Sequence, residues 1–174
     1  MNTEEVFATI KAALPGATIV EVLDNKDPYL LVPARHLVDI CKFLRDDPRL
    51  KCDFLQCLSA VDYLDRIAVV YHIESIFHEH RVILKVELPR EDSRVASVTG
   101  IWKAADWHER EAFDLVGVRF EGHPELKRIL CAEDWEGHPL RKDYAFPVDY
   151  HGVACNFSKA RLEWAERGGK KSAS

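Results

Sequence analysis

Between Asp106 and Tyr144 the chain gathers most of its chemistry-bearing residue types in one stretch, DWHEREAFDLVGVRFEGHPELKRILCAEDWEGHPLRKDY. Two E-G-H-P phrases, Glu121–Pro124 and Glu136–Pro139, each lead into a basic cluster, Lys127-Arg128 and then Arg141-Lys142. Acid–base catalysis needs carboxylates that address one substrate, but Glu109 and Glu111 point about 200° apart on a helix. A metal centre would recruit His123, Cys131 and His138, whose intervals match no common zinc spacing. His72, His78 and His80 form a second histidine group. Residues two apart on a strand share a face, so a site there is geometrically possible; a hairpin that ends in polar residues explains H-E-H equally. Arg128, Arg141 and Lys142 could face a phosphate, yet no glycine loop opens a helix beside them. The stretch holds no nucleophile-plus-base pair.

Recognition of another protein fits these residues better. On the helix WHEREAFDLVG, Arg110 and Asp114 stand four apart and can pair on one face. Trp107, Glu111, Asp114 and Leu115 share another side. Because Trp107, Phe113, Leu115 and Val116 interleave with the charges, full exposure would leave a large apolar area in water. A helix clamped between its own sheet and a partner accommodates both sets. His123-Pro124 and His138-Pro139 each follow a glycine, and a residue before proline avoids helix. Both are therefore turns that aim the basic residues behind them. Arginine forks suit carbonyls or carboxylates of a neighbouring protein, and Trp135 and Tyr144 supply the aromatic content of an interface.

The elements that must position this stretch are those of an ordinary globular chain of 174 residues with 47% hydrophobic and 30% charged content. That length fits one domain able to bury roughly 70% of its unfolded surface. A net charge of -5 argues against a nucleic-acid binder, including one using the Lys170-Lys171 tail. The five cysteines form no CxxC and suit a reducing compartment; Cys41, Cys52 and Cys57 read as small buried hydrophobes. No signal peptide is evident, and no run reaches the ~18 apolar residues of a membrane span. The chain reads as soluble, reaching a membrane only through a partner.

Thr3 can cap a helix through about Leu14, ended by Pro15-Gly16. Strands are expected over Ala17–Leu23 and Tyr29–Val32, and a second helix over Ala34–Asp46 with Leu37, Ile40, Cys41 and Leu44 on one face. Asp53–Tyr63, Arg66–Phe77 and Arg81–Leu88 read as strands, the last with Val82, Leu84, Val86 and Leu88 on one side. Asp92 or Ser93 opens a short helix, and a firmer one runs from Ala104 to Val116, stopped by Gly117. The expected fold is α+β: two layers, with a mixed, largely antiparallel sheet packed by helices. Residues 1–119 form that domain. Residues 120–174 form an extended, loop-rich docking arm with the tail RGGKKSAS disordered.

At Glu109-Arg110-Glu111-Ala112-Phe113-Asp114-Leu115-Val116 the chain resembles a known family. It is the thirty-kilodalton subunit family of proton-pumping NADH-quinone oxidoreductase, respiratory complex I. The likeness continues through Gly117, Phe120, Gly122-His123-Pro124, Leu126, Arg128-Ile129-Leu130 and Gly137-His138-Pro139-Leu140-Arg141-Lys142-Asp143-Tyr144. Val116 stands where the family commonly has Phe. The rest of the chain agrees more loosely, in length and order of elements.

The resemblance implies an accessory peripheral-arm subunit on the cytoplasmic side of the cell membrane. It would bind no cofactor itself; FMN, iron–sulfur clusters and quinone would belong to partner subunits. Electrons would pass from NADH to quinone in those partners, coupled to proton transport. The partners would be other peripheral-arm subunits, above all those forming the quinone site. Ending soon after Phe146-Pro147, the chain is expected not to be the form fused to the next subunit. Trp107, Glu109, Arg110, Glu111, Asp114, Gly117, His123, Pro124, Arg128, Gly137, His138, Pro139, Arg141, Lys142 and Asp143 would serve the interface. Related ferredoxin-, F420- or hydrogenase-linked membrane complexes use an equivalent subunit. A stand-alone metal-dependent enzyme is the alternative from another class.

Overall fold

The computed structural model describes residues 3–155. Helix α1 (Thr3–Ala13) buries Val6, Phe7 and Ile10, spaced to one side as a helix of period 3.6 requires. The expected Thr3 cap rests on a side chain outside the described residues, and the RGGKKSAS tail also lies outside them. Strands β1 (Val20–Val22) and β2 (Tyr29–Leu31) are shorter than expected, since each ends where its partner's ladder ends. Pro33 precedes a 3-10 turn, Ala34–His36, and α2 proper runs from Leu37 to Asp46. It buries Leu37, Ile40, Cys41 and Leu44, the four residues expected on its inner face.

Three long strands follow: β3 (Phe54–Asp62), β4 (Arg66–Ser75) and β5 (His80–Pro89). The sheet order is β1-β2-β5-β4-β3, antiparallel throughout except for the parallel β2–β5 pair. It is the mixed, largely antiparallel sheet anticipated. Val82, Leu84, Val86 and Leu88 of β5 and Ile67, Val69, Tyr71 and Ile73 of β4 point together into the core. This is the side-chain alternation of a strand with one face covered.

The short helix expected at Asp92 or Ser93 does not form. Ser93 turns the chain instead, its hydroxyl donating to the carbonyls of Pro89 and Arg90 at 2.9 and 3.2 Å. Strand β6 (Arg94–Ala96) then pairs in parallel with β7 (Arg119–Glu121), burying Val95 and Phe120. Between them lies α3 (Ala105–Val116), which packs on the edge strand β3. Its cap is Gly117 at φ 85°, a left-handed conformation that suits glycine.

The chain divides into two compact units, Met1–Lys142 and Asp143–Ser174. The first unit thus runs past the expected boundary at 119/120, because residues 123–142 fold back onto α3. In the second, β8 (Asp149–Tyr150) and β9 (Val153–Ala154) form a small hairpin. All five cysteines are free. Among the described residues no helix is long and apolar enough to cross a membrane.

Candidate docking site

Asp114, on the last turn of α3, has its side chain fully buried and organises the segment behind it. Its Oδ2 accepts three consecutive backbone N–H groups, from Ile129, Leu130 and Cys131, at 2.9, 2.7 and 2.9 Å. Its Oδ1 receives the Arg128 guanidinium at 2.7 Å. Burial pushes this carboxyl up, but the amides of Cys131 and Leu130, the Arg128 guanidinium and the Ile129 amide outweigh it. The net position is about 2, below the ordinary 3.8. The other fork nitrogen of Arg128 donates to the carbonyls of Trp135 and Gly137 at 2.9 and 2.8 Å. One acid and one arginine thereby fix a loop that has no regular secondary structure.

The second His-Pro turn closes the helix end. A helix leaves its last four carbonyls without intrahelical donors, and they form the negative end of its dipole. Here each of the four is met. Gly117 N–H donates to Phe113 at 3.0 Å and Leu140 N–H to Leu115 at 2.9 Å. His138 Nδ1 donates to the Asp114 carbonyl at 2.9 Å and Arg141 Nε to Val116 at 2.8 Å. The turn lies so close that a Cβ on Gly117 would meet His138 Cδ2 at 2.5 Å and an Arg141 nitrogen at 2.9 Å. Gly117 is therefore required twice, for its φ and for the space.

The first His-Pro turn ties the other end of α3. His123 Nδ1 accepts the Glu125 N–H at 3.0 Å, so Nε2 carries the proton and donates to the Asp106 carbonyl at 3.2 Å. The two histidines thus use opposite tautomers. Arg110 donates to the Lys127 carbonyl at 3.3 Å and lies 5.0 Å from the Trp107 ring. Its acidic neighbour on the helix is Asp106, at 3.9 Å, and the expected Arg110–Asp114 pair is absent because Arg128 occupies Asp114. Glu109 is buried on the sheet side, where Ser97 Oγ and Val98 N–H each donate to it at 2.7 Å. Burial raises its pKa to about 7, against those two hydrogen bonds.

The structure therefore brings Glu109, Arg110, Asp114, Gly117, His123, Arg128, Gly137, His138 and Arg141 together as an internal latch. Arg128 and Arg141, expected to clamp carbonyls of a neighbour, clamp carbonyls of their own chain. The outward residues are others: Trp107 is 63% exposed, Leu130 62% and Leu140 60%. Glu111, Pro124 and Lys142 are also exposed, and Pro139 is half-buried. Asp143, exposed, begins the second unit.

The metal alternatives do not assemble. His80 is on the core side of β5, its Nε2 3.7 Å from Cys52 Sγ, while His72 pairs with Ile83 on the other face. His78 turns to the Pro48 carbonyl at 3.0 Å. Among the described residues, no three His, Cys, Asp or Glu side chains gather as a metal ion requires.

Asp62 belongs to none of the motifs read from the sequence, yet it anchors the far end of the same segment. Buried at the end of β3, it receives Arg90 through two nitrogens at 3.2 and 3.0 Å. It also accepts the backbone N–H groups of Leu64 at 2.8 Å and Lys142 at 2.9 Å. The Arg90 guanidinium, against burial, holds its carboxyl far below the usual range. A lone acid ending an apolar strand is the signal that marks it.

Comparison with known proteins locates this arrangement. Residues 30–150 match the family model described as respiratory-chain NADH dehydrogenase, 30 Kd subunit. The corresponding NADH-quinone oxidoreductase subunit of Roseiflexus sp. is 43% identical over 165 residues, covering 93% of this chain and 94% of that protein. That of Chloroherpeton thalassium is 52% identical over 116 residues, 66% of this chain and 48% of that longer protein. Among solved structures, a trypsin-resistant fragment (1-134) of Nqo5 is 31% identical with a TM-score of 0.59, covering 72% of this chain and 100% of the fragment. A chain of an archaeal membrane-bound sulfane sulfur reductase shares the fold, with a TM-score of 0.71 at 23% identity, over 98% of this chain and 97% of that one.

Proposed function

The chain belongs to the family of the respiratory-chain NADH dehydrogenase 30 Kd subunit, and from that premise we propose that it is an accessory, structural subunit of an NADH-quinone oxidoreductase. In this reading it sits in the peripheral arm on the cytoplasmic side of the membrane. It braces the quinone-reducing module, while flavin, iron–sulfur clusters and quinone reside in partner subunits. Electron transfer from NADH to quinone, coupled to proton transport, is the work of the assembled complex.

The observation that carries the reading is the placement of apolar surface around the latch. Trp107, Leu130 and Leu140 are each more than half exposed, yet they flank a segment whose polar groups are satisfied internally. Leucine and tryptophan on a rigidly held loop and helix cost free energy in water unless something covers them. The latch's chemistry is spent on shape, which is what a bracing subunit requires. The candidate interface residues divide accordingly. Glu109, Arg110, Asp114, Gly117, His123, Arg128, Gly137, His138 and Arg141 hold the surface in position. Trp107, Glu111 and Lys142, with Pro124 and Pro139, form or border it.

The test is purification of the tagged chain from membranes in mild detergent. Co-elution with flavin- and iron–sulfur-containing subunits and NADH-dependent quinone reduction is expected. A chain that elutes alone and holds stoichiometric flavin or iron would overturn the reading.

A further inference from the structure

Along the seam where α3 crosses β3 lies an apolar groove of about 120 Å³, lined by Leu58, Ser59, Ala60, Ala112, Leu115 and Leu140, with Glu111 at its rim. Its lining combines small side chains, Ser59, Ala60 and Ala112, with leucines. A dry cavity of roughly 150 Å³ accepts benzene, so this groove suits one aliphatic side chain. The rim differs from the rest of the helix in one respect. Glu111 is exposed and has no hydrogen-bond or ion-pair partner among the described residues. The buried acids of α3, Glu109 and Asp114, have two donors and four. Trp107 and Leu115 lie one helical turn either side of Glu111 on the same stripe, so the carboxylate is set in an apolar strip.

We propose that this groove receives a segment of a partner subunit in which a Leu, Ile or Met side chain fills the pocket and an adjacent Lys or Arg pairs with Glu111. The inference rests on the docking reading above and names the chemistry of what docks. Charge complementarity favours this occupant: a carboxylate covered by apolar partner surface alone would be desolvated unpaired, which is strongly unfavourable. A basic, aliphatic segment satisfies both halves of the site.

The experiment uses the intact complex. A photo-activatable benzophenone residue replaces Ser59, and separate preparations carry Glu111→Lys and Glu111→Gln. The expected adduct maps to one segment of one other subunit, with an aliphatic residue beside a Lys or Arg. Glu111→Lys should cut the adduct and the recovery of that subunit about tenfold, the equivalent of one unit in log affinity, and Glu111→Gln severalfold. An adduct to this chain's own residues, to a second copy, to lipid, or to an acidic segment overturns the proposal. So does an unchanged adduct in Glu111→Lys. If the wild-type chain co-purifies with its complex in those cases, the docking reading survives and only the groove's occupant is wrong. If it does not co-purify, the docking reading itself fails.

Discussion

Two sets of residues on α3 carry similar types and put them to opposite uses. In one, Glu109, Arg110 and Asp114 are buried, and each acid is matched by donors from its own chain. In the other, Trp107 and Glu111 face outward, although Asp114 shares their side of the helix, and Glu111 has no partner among the described residues. Burial obliges a charge to be satisfied internally, so the first set is specified by the fold. The second is under no such obligation, and its residues are intelligible only through something outside the chain. What separates a structural from a docking residue here is whether its hydrogen-bonding capacity is already filled, since charge and motif membership are common to both.

The sharpest way to break this comparison is to remove the acid at the centre of the latch. Asp114→Asn leaves Arg128 without its counter-charge and sets an NH2 group against either Arg128 or the three amides, where an acceptor stood. Loss of one member of a buried pair costs about 3–5 kcal/mol. Urea denaturation of the free chain should show a midpoint lowered by that loss divided by the slope, with the slope unchanged. A midpoint equal to wild type would mean that the loop is held by something other than Asp114.

Gly117→Ala tests the same latch through its backbone. A left-handed alanine costs about 1–2 kcal/mol. The added Cβ must also displace His138, which it would approach to 2.5 Å. The combined loss should be about 2–3 kcal/mol, with the Leu140–Leu115 amide exchanging faster with solvent. Wild-type exchange at Leu140 would show that the second His-Pro turn does not depend on the glycine.

These two residues also show what was legible in the sequence. Gly117 as a helix stop, the four buried positions of α2 and the alternation along β5 all follow from local rules of periodicity and capping. The sheet's mixed character followed as well. The use of Asp114 did not, because its partners lie 14 to 17 residues away across an irregular loop, and local spacing favoured Arg110 instead. The parallel β6–β7 pair was hidden similarly, since its strands are short and separated by a whole helix. One physical cue was available for the arginines. A helix ending at Gly117 leaves uncovered carbonyls at its negative pole, and basic clusters shortly afterwards can reach them before any neighbouring protein does.

Glu109 offers a pH-dependent test of the buried set. Its folded pKa of about 7 exceeds the ordinary 4.5, so the folded state keeps a proton that the unfolded state has released between these values. The group's contribution is whole below pH 4.5, declines as pH rises and levels off above about 7. The slope from one such group is at most about 1.4 kcal/mol per pH unit. Glu109→Gln, which cannot ionise, should flatten this part of the stability profile. A profile unchanged by the substitution would place the carboxylate in contact with water.

Glu111→Gln should have the smallest effect on the free chain, and for that reason it draws the comparison most finely. A surface substitution away from caps, cores and charge pairs shifts stability by no more than about 0.5 kcal/mol. Glu111 makes no contact whose loss would raise that figure, and it lies in the middle of α3, where the helix dipole has little effect. Gln retains the helix propensity and the size of Glu. The denaturation midpoint should therefore match wild type. A loss above about 1 kcal/mol, the typical net value of a hydrogen bond, would mean that Glu111 has a partner inside its own chain. The division between saturated and open residues of α3 would then be wrong at the residue that defines it.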